Sequence, residues 1–186
     1  IVSLSRIAST ASLSPFTTCR MPSGSPASCM SWASISRTEG HALASHGYGH
    51  ERANEQTAAA FFADINLAKL ILEDLAGQEV KGYRAPSFSI GLNNLWAFDC
   101  LERAGYLYSS SIYPIRHDHY GMPDAPRHAH AKGNLLEIPA TTLRFMNRNW
   151  PASGGGYFRL VPYTLSRWML RRVNHVDGLT AVFYFH

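Results

Sequence analysis

The chain has 186 residues, of which 46% are hydrophobic and 16% are charged, and this composition suits one globular domain with a sizeable core. The formal net charge is +4, but residues 1–38 hold three arginines and no acid, so residues 39–186 carry 14 basic groups against 13 acids. The near-neutral charge of residues 39–186 argues against nucleic-acid binding. Three cysteines without a CxxC pair predict no disulfide framework. The sequence holds no apolar run long enough to predict a membrane span.

Residues 1–38 differ from the rest of the chain. Eleven of them are serine, and their apolar residues follow no sustained period. Three explanations are open: an organellar transit peptide, a disordered tail, or sequence foreign to the fold, such as a wrong reading frame. We favour the third and, because the chain begins with Ile1, expect a fragment. We therefore expect no strand from residues 1–38, a partial domain over 39–186 and, without a visible signal peptide, a cytoplasmic protein.

From residue 39 onward, strand and helix patterns alternate. One helix is predicted after Thr57, a good N-cap residue, because apolar residues recur at three- and four-residue steps until Gly77. Further helices are predicted over 94–105 and 162–174. The predicted strands are HALASH (41–46), EVKGYR (79–84), YLYSSSIY (106–113), NLLEIPAT (134–141) and LTAVFYFH (179–186). This alternation predicts a parallel α/β sheet or barrel.

Chemically active side chains fall at the carboxyl ends of these predicted strands. His46, Arg84, the serine run 109–111 and His186 each end or follow one. In barrels built from βα units, that face carries the active site. The placement therefore favours an enzyme.

His46 and His50 stand four residues apart in the segment SHGYGH (45–50). On a helix this spacing would place both on one face, as in the H-E-x-x-H zinc motif. Gly-Tyr-Gly is poor helix material, since each glycine costs about 1 kcal/mol relative to alanine. The pair must therefore converge through a tight turn at the end of a strand. By spacing alone, metal ligands and ordinary loop histidines both remain possible.

Four segments, in this order and spacing, resemble the polysaccharide deacetylases of the NodB-homology, or carbohydrate esterase 4, type. They are SHGYGH (45–50), RAPSFS (84–89), YSSSIYP (108–114) and FYFH (183–186). Longer stretches, such as SSSIYPIRHDHYGMPDAPR and GGGYFRLVPY, most resemble the branch associated with exosortase exopolysaccharide systems. The resemblance covers roughly residues 39–186. It implies an incomplete (β/α) barrel of the glycoside hydrolase/deacetylase type that removes N-acetyl groups from a polysaccharide or oligosaccharide.

The resemblance also implies roles for individual residues. His46 and His50 would hold a divalent metal ion, zinc or cobalt, which suit imidazole ligands. Arg84 would orient the catalytic base, and His186 would be the general acid, a task that suits its ordinary pKa of about 6.5. Without its usual aspartate partner, Arg84 is expected to be partly exposed, with its guanidinium turned to water, a backbone carbonyl or a substitute acid.

One family motif has no counterpart in this chain. In the family, an aspartate motif supplies the third ligand and the base, but no aspartate precedes Asp64 here, and serines 109–111 replace a second aspartate pair of many relatives. We therefore expect weak metal binding and impaired catalysis. Two alternatives remain: a catalytically inactive barrel fragment with a carbohydrate-binding or structural role, and a related amidase that acts on a small cyclic amide or on peptidoglycan.

Overall fold

A six-stranded sheet forms the centre of the molecule in the computed structural model, which describes the backbone of Phe16–Cys19 and residues 42–185. Its strands are β1 (Phe16–Cys19), β2 (Ala42–Ser45), β3 (Gly82–Tyr83), β4 (Tyr108–Ser109), β5 (His130–Lys132) and β6 (Leu135–Glu137), in the order β1-β2-β3-β4-β6-β5. Neighbouring strands are parallel except β5, which is antiparallel to β6. The sheet does not close within the described residues. The predicted α/β fold of incomplete-barrel type is confirmed.

Two helices, α1 (Ala58–Ala76) and α2 (Trp96–Arg103), connect the first strands. The hydroxyl of Thr57 accepts the N–H of Ala60 and caps α1, and Gly77 ends it with a φ of 61°. The inward face of α1 packs against the sheet and α2, with Phe61 and Ile65 fully buried. The predicted helices and their core faces are therefore confirmed. No helix in residues 42–185 is both long and apolar enough to cross a membrane.

The expectation that residues 1–38 supply no strand is wrong for β1. The register places Phe16 beside Ala42 and Cys19 beside Ser45, so β1 extends the sheet as a parallel neighbour of β2. Phenylalanine and threonine favour strands, but a four-residue strand is too short to show a period between serine-rich flanks. The other residues of that segment, and the proposed boundary at residue 38, lie outside the described part.

The strand predicted over 179–186 does not form in residues 179–185. The carbonyl of Val182 accepts the N–H of Thr141 at 3.2 Å, but the N–H of Val182 donates to the Thr141 hydroxyl instead of a backbone carbonyl. The Thr141 carbonyl is already bonded by the N–H of Ala152 and the hydroxyl of Ser153. A single backbone bond therefore replaces the expected ladder.

The second half of the chain adds a β-hairpin that the sequence patterns did not predict. Strands β7 (Thr142–Phe145) and β8 (Arg148–Pro151) pair antiparallel around the two-residue turn Met146–Asn147. Both turn residues have positive φ, 49° and 59°, as a type I′ hairpin turn requires. Helices α3 (Gly155–Leu160) and α4 (Tyr163–His175) follow, and α4 packs against β7.

Candidate active site

The parallel topology gathers side chains from four strands at one edge of the sheet. His46 follows β2, Arg84 follows β3, Ser110 follows β4, and Glu137 ends β6. Because neighbouring parallel strands end at the same edge, residues up to 91 positions apart in sequence are brought to one end of the sheet. The first three were candidates from the sequence, and Glu137 was not.

The two histidines of SHGYGH lie side by side. Their ring centroids are 5.0 Å apart, with the ring planes inclined at 70°. His46 is buried, and its Nδ1 lies 2.6 Å from the backbone carbonyl of Arg84. Since a carbonyl oxygen can only accept, Nδ1 carries the proton and the Nε2 atom carries the lone pair. Histidine ligands of metals are commonly oriented by such a bond at the other ring nitrogen.

The turn between the histidines is held by Asp64, which projects from α1. Its two carboxylate oxygens accept the N–H groups of Tyr48 at 3.0 Å and Gly49 at 2.7 Å. Gly47 has a φ of 80°, and a Cβ at that position would lie only 2.8 Å from the Asp64 carboxylate. His50 itself has a φ of 56°, which is uncommon for a residue other than glycine. A carboxylate brace therefore replaces helical structure in bringing His50 back toward His46.

Replacing Asp64 by asparagine should loosen this turn. Asparagine has one carbonyl oxygen for two N–H groups, so we expect a loss of about 1 kcal/mol in the free energy of unfolding and weaker binding of added zinc. Urea denaturation and zinc titration measure the two effects. Asp74, exposed on the same helix, is the matched control. If Asp64→Asn and Asp74→Asn behaved alike in both measurements, the brace would have no effect on the pair.

Arg84 is buried, which corrects the expectation that it would be partly exposed. Only 5% of its surface is accessible. Its Nε donates to the Ser110 carbonyl at 3.0 Å, and a terminal nitrogen donates to the Ser110 hydroxyl at 2.7 Å. The guanidinium carbon also lies 5.6 Å from the ring centre of Phe88 and 5.7 Å from that of Tyr184. The oxygens of Ser110 and two aromatic rings thus replace water around the charge. The Ser110 carbonyl is the kind of backbone partner that was expected for the guanidinium.

The buried position of Arg84 changes the energetics of its charge. Burial lowers the pKa of the guanidinium to about 10, and the carboxylate of Glu137 is the largest influence in the opposite direction. At neutral pH Arg84 therefore remains a cation. Glu137 therefore acts on the Arg84 charge as a substitute acid, but from a distance. No ion pair within 4.0 Å joins these two residues in the described part of the chain.

Glu137 is fully buried and organises the serine run. One of its carboxylate oxygens accepts the N–H groups of Ser111 at 2.9 Å and Ile112 at 2.8 Å. The Ser111 hydroxyl in turn accepts the N–H of Ala85, next to Arg84. The sequence signal was present, since Glu137 is the one charged residue in the apolar stretch LLEIPA (135–140). A charge inside such a run at a strand end indicates a buried polar role.

Glu137 should make the stability of the protein fall as the pH rises. Burial raises the pKa of its carboxyl above 4.5, against hydrogen bonds from Ile112, Ser109 and Ser111 and the charge of Arg84. Between 4.5 and the raised value the folded chain binds more protons than the unfolded chain, so the free energy of unfolding decreases through this window. Glu137→Gln should remove that decrease, relative to the parent, in urea denaturation series from about pH 4.5 to about pH 8.

The matched control for this series is Glu79→Gln, because the Glu79 side chain is 57% exposed. Its profile should parallel that of the parent chain. A parallel profile for Glu137→Gln as well would contradict a raised pKa at Glu137.

The remaining predicted site residue, His186, lies outside the described residues. Within the described residues, no group of three or more histidine, cysteine or acidic side chains is arranged to share a metal ion. The histidine pair fits two positions of a metal site by its donor atoms and by the orientation of His46. Catalytic zinc sites take about three ligands from the protein, so the pair alone would supply two of them.

Two parts of the chain match known protein families. Residues 16–107 match the family model described as polysaccharide deacetylase, and residues 110–186 match a domain of unknown function, DUF3473. No curated protein sequence matches the chain. The first match includes β1, so part of the segment that we predicted to be foreign to the fold lies within it.

Two solved structures share the fold. A probable polysaccharide deacetylase from Pseudomonas aeruginosa PAO1 is 18% identical, with a TM-score of 0.55, over 84% of this chain and 49% of its own length. The PuuE allantoinase is 17% identical, with a TM-score of 0.52, over 84% of this chain and 48% of its own. This chain thus spans about half the length of each. Residues 16–107 therefore match the polysaccharide deacetylase family by sequence, and the chain shares the fold of these two structures.

Proposed function

We propose that the chain belongs to a metal-dependent hydrolase that removes N-acetyl groups from a polysaccharide. The observation that carries the proposal is the pair of adjacent imidazoles at the end of β2, where the Arg84 carbonyl fixes the tautomer of His46. The deacetylase family of residues 16–107 supplies the reaction class.

In this proposal His46 and His50 hold a divalent metal ion, zinc or cobalt. When bound, the ion supplies an activated water and polarises the acetyl carbonyl. The Asp64 brace sets the position of His50, and the His46–Arg84 bond sets that of His46. Both contacts are made before substrate arrives, so the ligand geometry is preorganised.

His186 and Arg84 have separate roles in the proposed reaction, as the proton donor and as a positioning residue. His186 would donate a proton to the leaving amine, because an imidazole exchanges protons near neutral pH. Arg84 is a positioning residue: its guanidinium holds Ser110, and its carbonyl holds His46. No aspartate precedes Asp64 in this chain, so the family's aspartate base has no counterpart here and slow turnover is expected.

The substrate class follows from the family and from the motifs. We propose an N-acetylated polysaccharide or oligosaccharide, of the exopolysaccharide kind handled by the exosortase-associated branch. The stretches GYRAPSFS (82–89) and GGGYFRLVPY (154–163) support that branch by their similarity.

The proposal is tested by acetate release from N-acetylated chitohexaose. The parent chain should release acetate slowly when zinc or cobalt is added and stop when a chelator removes the metal. His46→Ala should show no metal-dependent release. Equal rates with metal, with chelator and in the variant would overturn the proposal.

A further inference from the structure

An open cleft of about 730 Å³ lies in the second half of the molecule. One wall is the β7–β8 hairpin, and the other is the loop over residues 115–124. We call it the hairpin cleft, and its principal side chains are Arg116, Asp118, Arg144, Arg148, Trp150 and Tyr157. Its volume falls in the range of about 300–1,000 Å³ that is typical of ligand sites.

The charges of the hairpin cleft are not paired with one another. In the described part of the chain, no ion pair within 4.0 Å involves Arg116, Arg144 or Arg148, or the lining residues Asp118 and Asp124. Surface charges of opposite sign gain only about 0–1 kcal/mol from pairing, so they can remain unpaired at little cost. Three cations against two anions leave little net charge in the cleft.

Arg144 is held in place without being neutralised. Its two terminal nitrogens donate to the side-chain carbonyls of Asn147 at 2.6 Å and Asn149 at 3.1 Å. Asn149 also donates to the backbone carbonyl of Pro123 at 3.0 Å, which ties the hairpin to the opposite wall. Since the amides are neutral, the guanidinium keeps its charge in a fixed orientation. The cleft is therefore preorganised for a polar ligand.

Aromatic rings lead from the hairpin cleft toward the histidine edge. Trp150 is 48% exposed, with its indole N–H bonded to the Phe145 carbonyl at 3.3 Å. Tyr157 contacts Tyr113, and Tyr113 contacts Tyr184, with ring centres 6.3 and 6.2 Å apart. Tyr184 lies over the Arg84 guanidinium. A chain of packed rings thus connects the floor of the cleft to the candidate active site.

We propose that the hairpin cleft binds neighbouring sugar units of an uncharged N-acetylated polysaccharide chain, beyond the unit that is deacetylated. This inference rests on the proposed function. Planar guanidinium, carboxylate and amide groups match pairs of sugar hydroxyls through bidentate hydrogen bonds, and an exposed indole offers an apolar surface for the ring face of a sugar. Three arginines against two aspartates leave a net charge of only +1, so the cleft offers a polyanion little electrostatic attraction.

The test is calorimetric titration of the full chain with chitohexaose, with N-acetylglucosamine and with polygalacturonate. We expect the hexamer to bind more tightly than the monomer, and Trp150→Ala and Arg144→Ala each to weaken the hexamer on the order of tenfold. The matched controls are Trp168→Ala and Arg167→Ala, since both residues are exposed on α4 outside the cleft. Both controls should bind like the parent.

Three results would overturn the inference: no hexamer binding by the parent, equal affinity in cleft variants and controls, or binding of polygalacturonate alone. His46→Ala separates it from the proposed function, because that variant should lose zinc but retain the hexamer. If the parent binds no zinc while Trp150→Ala still weakens the hexamer, the proposed function fails and the cleft stands. If zinc binds at the pair while Trp150→Ala leaves hexamer affinity unchanged, the cleft alone fails.

Discussion

Replacing His46 by alanine should lower the affinity of the chain for zinc by at least about 100-fold, beyond the 10–100-fold typical of residues that only orient a ligand. The reason is that His46 supplies one of the two imidazoles of the SHGYGH pair, and its orientation is set by the Arg84 carbonyl. Zinc titration followed by calorimetry measures the loss. His50→Ala should give a loss of similar size.

The control for this prediction is His119→Ala, because His119 is exposed and lies outside the pair. It should bind zinc as the parent does. Circular dichroism and urea denaturation must show that His46→Ala is folded, since His46 is buried, with only 3% of its surface accessible. A folded His46→Ala chain with parental zinc affinity would show that the two histidines are not ligands.

Replacing Arg84 by alanine should destabilise the protein by about 3–6 kcal/mol, because each of its two hydrogen bonds from a charged donor contributes about 1.5–3 kcal/mol. The change deletes both bonds to Ser110 and the contacts with Phe88 and Tyr184, and it leaves Glu137 buried without a nearby cation. Urea denaturation at neutral pH measures the difference.

Arg103→Ala is the matched control for Arg84→Ala. Arg103 also lies over an aromatic ring, that of Phe62 at 4.7 Å, but it is exposed. Its loss should cost less than about 1 kcal/mol. A similarly small cost at Arg84 would mean that burial of the guanidinium contributes nothing to the stability of the serine run.

Local signals in the sequence were sufficient for the main helix and for the placement of the site. Thr57, Gly77 and the apolar spacing between them act within a few residues, so α1 could be predicted from sequence alone. The two glycines of SHGYGH excluded a helix, and the structure shows the predicted turn. The ends of β2 and β3 followed from the strand pattern, which placed His46 and Arg84 at one edge.

The contacts that shape the site depend on long-range packing, which leaves no local pattern. Asp64 reaches the histidine turn across 15 positions, and Glu137 reaches the serine run across 26. Arg84 was expected to be partly exposed because its usual partner is missing, but Ser110, Tyr184 and the nearby Phe88 enclose it. The hairpin escaped prediction because Met146–Asn147 lacks the Asn-Gly signature of such turns.

Whether His46 and His50 bind a metal ion is tested most directly by anomalous diffraction at the zinc edge, from crystals of the chain grown with zinc. If the histidine pair binds zinc, an anomalous peak should lie between the two imidazoles, at about 2.0–2.1 Å from the Nε2 atom of His46 and from a ring nitrogen of His50. Zinc bound elsewhere, with no peak at the pair while the Asp64 turn is intact, would contradict metal binding by the pair.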